Sequence, residues 1–161
     1  MALATFVCRA QSMAPGQAYY IVNNYYDRAL SYGDDKAQPR LSKVGTNPDE
    51  TYVFDCIESA KEGFVYLKQR SSGLWLAASS SNTWSTVLTT EQNDYGMWRV
   101  SGGALANYKA QSKRLGIDTG QESSTYIGVY YDKSAGDASS WHFVKAVAGG
   151  YDASVKAAED E

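Results

Sequence analysis

Histidine is nearly missing from this sequence: its 161 residues hold one, His142. Any Ser-His-Asp or Cys-His arrangement would have to use it, yet it alternates with Trp141 and Phe143 in what reads as a strand, so a structural or surface histidine is expected. Cysteine is scarce too, and one histidine with the distant Cys8 and Cys56 gives no zinc spacing. Calcium-loop carboxylates and phosphate loops are also missing, since "GQESSTYIG" and "SGG" carry neither a Gly-x-Gly-x-x-Gly series nor a Lys-Ser/Thr after glycine. The expectation is therefore not an enzyme, with no metal and no cofactor.

Positive charge is not in excess either, at 15 Lys+Arg against 18 Asp+Glu. Such a balance supplies no global footprint for phosphates or sulfates, so no nucleic-acid partner is expected, although it leaves room for a local basic patch. No apolar run approaches the ~20 residues of a membrane span, and no membrane insertion is expected. The opening "MALATFVCRAQS" has no positive flank and is broken by Arg9, which does not read as a secretory signal. A cytoplasmic, reducing setting with free Cys8 and Cys56 thiols follows as the expectation.

What the chain has is tyrosine, 13 of them, and a repeat. The windows "YIVNNYYDRAL", "YLKQRSSGLWL" and "LANYKAQSKRL" close on Leu30, Leu76 and Leu115, at separations of 46 and 39 residues. A period near forty is that of units built from four short strands. A second anchor follows each leucine at Tyr52-Val53-Phe54, Trp98-Arg99-Val100 and Trp141-His142-Phe143, the last delayed by the insertion-like "TGQESSTYIGVYYD". Alternation puts Tyr19/Ile21, Val65/Leu67 and Ala104/Ala106 on the core side of half-buried strands. Turn signals such as Asn47-Pro48, Ser72-Gly73 and Ser101-Gly102-Gly103 interrupt them every eight to twelve residues. The reading is an all-β chain with one domain over residues 1–148, units near 17–60, 61–101 and 102–147, and an acidic tail at 149–161. Ile21, Leu30, Leu67, Leu76, Leu115, Trp98 and Trp141 form its expected core.

Three such units resemble a β-trefoil, in which six strands close a barrel and three hairpins cap it. "VYLKQRSSGLWLAA" is similar to the first hairpin of a unit in fibroblast growth factors, fascins and hisactophilin, while Trp141-His142-Phe143 resembles the closing strand of ricin B-type lectin units, and amaranthin-type agglutinins carry similar patterns. The resemblance implies a carbohydrate-binding lectin of the kind found in fungal fruiting bodies, often defensive, with glycans or glycoproteins as partners and a homodimer as a route to multivalency. The ricin pattern is not complete. The triplets Glu50-Thr51-Tyr52, Gly96-Met97-Trp98 and Ser139-Ser140-Trp141 lack its glutamine, and Ser31, Ala77 and Gly116 stand where its sugar-binding aspartate would follow the leucine, with Asp118 two residues late. Any sugar site would be built differently.

A sugar ring offers an apolar C–H face to an aromatic side chain and vicinal hydroxyls to carboxylates and amides. On that chemistry the candidates are Trp84 with Asn82, Asn93 and Asp94 in the second unit, Trp75 beside them, and the tyrosine-rich third unit through Asp118, Gln121, Tyr131 and Asp132. The alternative function is a trefoil protease inhibitor, with "AQPRLSK" as its loop: Pro39 would stiffen the chain before Arg40, which suits an acidic specificity pocket.

Overall fold

The computed structural model describes residues 12–32, 35–43, 49–79, 85–134, 136–147 and 150–151. Barrel strands are β1 (Ala18–Asn23), β4 (Val53–Glu58), β5 (Val65–Gln69), β8 (Met97–Ser101), β9 (Ala104–Asn107) and β12 (Trp141–Val147). Hairpins pair β2 (Ala29–Tyr32) with β3 (Pro39–Ser42), β6 (Trp75–Ala78) with β7 (Thr86–Thr89), and β10 (Arg114–Ile117) with β11 (Tyr126–Lys133). A short β13 (Gly150–Tyr151) pairs with β12, so the tail read from 149 onward begins as a strand.

Antiparallel pairing runs β12–β1–β4–β5–β8–β9. The ring closes where Trp141 N–H donates to the Gly103 carbonyl at 2.8 Å. Gly103 is required at that seam, because it has φ +81° and an added Cβ would lie 2.7 Å from the Trp141 oxygen. The hairpins lean on one another across the cap: β11 pairs β3, Leu88 N–H donates to Ala37, and Thr86 Oγ1 donates to Val129. Six barrel strands under three hairpins make this a β-trefoil.

The core is layered in threes. Ile21, Leu67 and Leu105 form one layer; Leu30, Leu76 and Leu115 the next; Leu41, Leu88 and Tyr131 another; and Phe54, Trp98 and Trp141 the fourth, all of them buried. Each aliphatic member stabilises the fold by ~1.5–3 kcal/mol relative to an exposed side chain. Both indoles find an acceptor in the same relative place, Trp98 Nε1 donating to Leu76 O and Trp141 Nε1 to Leu115 O, each at 2.9 Å.

These layers correct two registers of the sequence reading. The first-unit partner of Trp98 is Phe54, not Tyr52, which ends a 3-10 turn (Glu50–Tyr52) that corresponds to Asp94–Gly96 and Asp137–Ser139. In the third unit Leu105, not the Ala104/Ala106 pair, points to the core, because the turn that follows β9 is one residue longer. A further threefold element went unread. Asn23, Gln69 and Asn107 end β1, β5 and β9 with no exposed surface, and their amides donate to Ala138, Thr51 and Tyr95, the middle carbonyl of the 3-10 turn in the preceding unit. Each buried amide thus ties one unit to the one before it.

Candidate functional site: a tyrosine-edged cleft between the first turn and the third hairpin

Asn23 does more than tie units together. Its Oδ1 accepts from Tyr25 N and Tyr26 N at 3.0 and 3.3 Å, an Asx turn that bends the chain outward after β1. Asp27 then adopts φ +54°, the conformation that Gly73 takes in the second unit. The result is a tight turn with two tyrosines at its tip.

Tyr26 anchors the tip. Its hydroxyl accepts from Gln121 N at 2.8 Å, and the Arg28 guanidinium lies 5.8 Å from its ring centroid. Arg28 is itself buried and donates through Nη1 to Ser124 O at 2.6 Å and Nη2 to Glu122 O at 2.8 Å. Carbonyl acceptors satisfy the donors of a charge that burial would otherwise penalise. The extra residues of the third unit are therefore strapped to the first turn. Tyr25, held edge-on by Tyr26 at 4.8 Å between centroids, keeps 46% of its surface exposed.

The opposite wall comes from β10, β11 and the 137–139 turn. Lys133 sits between Asp118 and Asp132, bonded to the first and 3.2 Å from the second. Burial works against its charge, but the two carboxylates outweigh it, and the ammonium is held above its ordinary pKa. Gly116 makes room for this wall: an added Cβ would stand 2.8 Å from Lys133 Cγ and 2.9 Å from Ala138 O. An aspartate in the ricin-type position is thus sterically barred, and the carboxylates arrive later in the chain. Between the walls lies an open cleft of about 270 Å³ lined by Tyr25, Thr119, Lys133, Ser134 and Asp137 among others. It offers an aromatic ring, two hydroxyl side chains, an ammonium and an exposed carboxylate, which is equipment for holding a polyhydroxylated ring.

The residues singled out from sequence fall unevenly about this cleft. Asp118 and Asp132 meet at Lys133, and Gln121 stands on the strapped loop. Tyr131 is a correction: it is fully buried, edge-on to Trp98 at 5.5 Å, and so cannot present a ring to a ligand. Plain alternation along β11 explains this, placing Ile127, Val129 and Tyr131 inward and leaving Tyr126 and Tyr130 outside. The Tyr131 hydroxyl accepts from Asn107 N at 2.7 Å and lies against the Ala110 and Lys113 carbonyls, and burial raises its pKa.

In the second unit Asn82 and Trp84 lie outside the described residues. Asn93 caps the 3-10 turn, accepting from Tyr95 N at 3.0 Å and donating to Glu91 at 3.2 Å, while Asp94 is exposed in that turn. Trp75 is half-buried on β6 against Lys68 and Tyr66. Pro39 and Arg40 require the second correction. They are not a loop but the start of β3, paired with β2 and, from Arg40 onward, with β11. Arg40 Nη1 folds back on the Pro39 carbonyl at 2.8 Å. A residue hydrogen-bonded between two strands cannot enter a protease pocket.

Sequence reading missed Tyr25, Arg28, Lys133 and Asp137. Aligning the units on Asn23 and Gln69 would have shown Tyr25-Tyr26 standing where the second unit has Ser71-Ser72. The histidine and the described cysteine do not line the cleft. His142 is buried on β12 with Nδ1 2.6 Å from Asn24 Oδ1. Cys56 is a buried free thiol whose pKa burial pushes up to about 11, away from thiolate reactivity. Among the described residues, no group of three or more His, Cys, Asp and Glu side chains is placed to hold a metal. No helix among them is long and apolar enough to cross a membrane.

The architecture defines a β-trefoil with an open cleft beside its third hairpin. No family model matches the chain, and no curated protein matches it. Solved structures do. The designed threefold-symmetric protein ThreeFoil superposes with a TM-score of 0.64 at 19% identity, over 79% of this chain and 97% of its own. The C-half of an earthworm R-type lectin, in complex with GalNAc, gives 0.62 at 13% identity, over 80% of this chain and 98% of that one. An endo-β-galactosidase from Clostridium perfringens that releases GlcNAcα1-4Gal gives 0.63 at 13% identity, but the match spans 82% of this chain and only 33% of the enzyme. At these identities the likeness is one of fold.

Proposed function

We propose that this protein binds carbohydrate, and that the cleft at Tyr25 is a glycan site. The observation that carries this reading is the ring of Tyr25: exposed, yet held in place by Tyr26, Asn23 and the Arg28 strap, beside hydroxyl and carboxylate groups. A ring already fixed loses little conformational freedom when a pyranose packs on it, and apolar C–H groups gain a dry face. Asp137, Thr119 and Ser134 would then meet the hydroxyls. The earthworm lectin, which shares the fold, was solved with GalNAc bound.

The test is a glycan array followed by calorimetry on the best hit. Tyr25→Ala is expected to lower affinity at least tenfold with an unchanged melting temperature, and Asp137→Asn to lower it less. An array with no binder, or a binder that tolerates Tyr25→Ala, would remove the cleft from consideration. The inhibitor alternative has no support left once Arg40 is placed in β3.

A further inference from the structure

The second unit, together with the turn after β9, carries a different kind of surface. Tyr66 and Lys68 lie on the outer side of β5, with Leu67 and Gln69 buried between and beyond them, and Phe64 stands immediately before the strand. Lys68 Nζ lies 5.1 Å from the Trp75 ring centroid, and Trp75 meets Tyr66 edge-on at 5.7 Å. Phe64 in turn meets Tyr108 edge-on at 5.1 Å, with the Arg99 guanidinium 5.6 Å from the Phe64 centroid. Lys109 sits 5.4 Å from the Tyr95 ring, and Tyr95 adjoins Gly96, which backs onto Tyr66. One continuous strip results, in which cations rest on aromatic rings.

Lys68, Arg99 and Lys109 differ from Arg70 and Lys133 in one respect. Arg70 and Lys133 are neutralised by carboxylates, whereas no carboxylate among the described residues lies within ion-pair distance of these three. A ring beneath an ammonium or guanidinium positions it by cation–π attraction; Arg99 Nη1 is held further by donating to Gln111 Oε1 at 3.0 Å, and the other N–H groups of such a cation are left to solvent. Such preset donors cost little further ordering when an anion arrives. Glu58 and Glu62 line a depression with Lys61 at the foot of the strip, so its positive character centres on Lys68, Arg99 and Lys109.

We infer that this strip is a second binding surface, independent of the Tyr25 cleft, for anionic polysaccharide chains whose carboxylate or sulfate groups meet Lys68, Arg99 and Lys109. Single-stranded nucleic acid is the weaker fit. Its bases need free ring faces to stack on, and here the cations occupy them. The formal charge of −3 on the whole chain also disfavours a partner with a charge on every backbone unit, while a sparsely charged glycan pays less for the same field.

The experiment passes the full chain over immobilised dextran sulfate and polygalacturonate at low salt, with neutral dextran as control and a single-stranded DNA oligonucleotide as rival. Retention on at least one anionic polysaccharide and none on dextran is expected, with release by added salt. Retention on dextran sulfate alone assigns the sulfate group, and retention on polygalacturonate alone assigns the carboxylate. The triple variant Lys68→Gln/Arg99→Gln/Lys109→Gln should lower affinity at least tenfold. The single change Lys109→Gln, at an exposed position, should lower it about twofold with the fold intact, and Tyr25→Ala should leave it unchanged. No retention at low salt, retention indifferent to Lys109→Gln and to the triple change, or tighter binding of the oligonucleotide would each overturn the inference.

Discussion

The inside of this molecule and its outside obey different rules of repetition. In the core the three units agree in role: Leu30, Leu76 and Leu115 are equivalent buried leucines, and Asn23, Gln69 and Asn107 make equivalent donor bonds to the preceding unit. On the surface the same frame carries different things. The turn after β1 bears Tyr25 and Tyr26 where the turn after β5 bears Ser71 and Ser72, and the strip of Lys68, Arg99 and Lys109 on aromatic rings lies across β5, β8 and the turn after β9. Packing has to satisfy a shared geometry three times, so it repeats, whereas a ligand has to be met once. In a trefoil, the departures from symmetry are therefore the places to look for binding.

Substitutions can sharpen this division. The largest loss should come from Trp141→Ala, which empties a fully buried site and strands the Leu115 carbonyl, at about 3–5 kcal/mol by urea unfolding. Tyr131→Phe keeps the ring but removes the oxygen that satisfies Asn107 N–H, at about 1–3 kcal/mol. A result near zero would mean that this hydroxyl is dispensable and would reopen Tyr131 as a residue kept for something other than packing.

Cys56 gives a pH test of the same inner region. Its folded pKa of about 11 lies above the ordinary value of 9, so the protonated thiol is favoured by folding. That contribution is fully present below pH 9 and is lost as pH rises toward 11. The unfolding midpoint should fall over this window more steeply in the native chain than in Cys56→Ala, and parallel curves would refute the assignment. The smallest effect on stability belongs to the outside: Tyr25→Ala should stay within about 0.5 kcal/mol while glycan affinity falls at least tenfold. If Tyr25→Ala instead destabilised as much as Tyr131→Phe, the contrast between inside and outside would break down.

The β-trefoil was legible because leucine spacing survives variation in loop length. Two details were not legible, and both failed locally. Tyr52 and Phe54 are aromatic residues two apart, so a pattern could not tell which one fills the core when a 3-10 turn precedes the strand. Ala104 and Ala106 flank Leu105 and carry too little bulk to reveal which side faces inward. The site was harder to read. Asp118 and Asp132 were found by composition, but Lys133 and Asp137 join them only through a bulge and a close approach that Gly116 permits. Arg40 misled because Pro-Arg resembles an exposed loop, while pairing with β2 and β11 is a property of distant sequence.

The three buried amides have a consequence for how the protein comes apart. In a linear array of repeats each unit touches only its neighbours, the ends are free, and terminal repeats can fray. Here Asn23 of the first unit bonds to the third, Gln69 of the second to the first, and Asn107 of the third to the second. The chain of dependence has no end. Releasing any one unit breaks two of these bonds, so no unit is an end from which melting could start, and a single cooperative transition is the expected outcome.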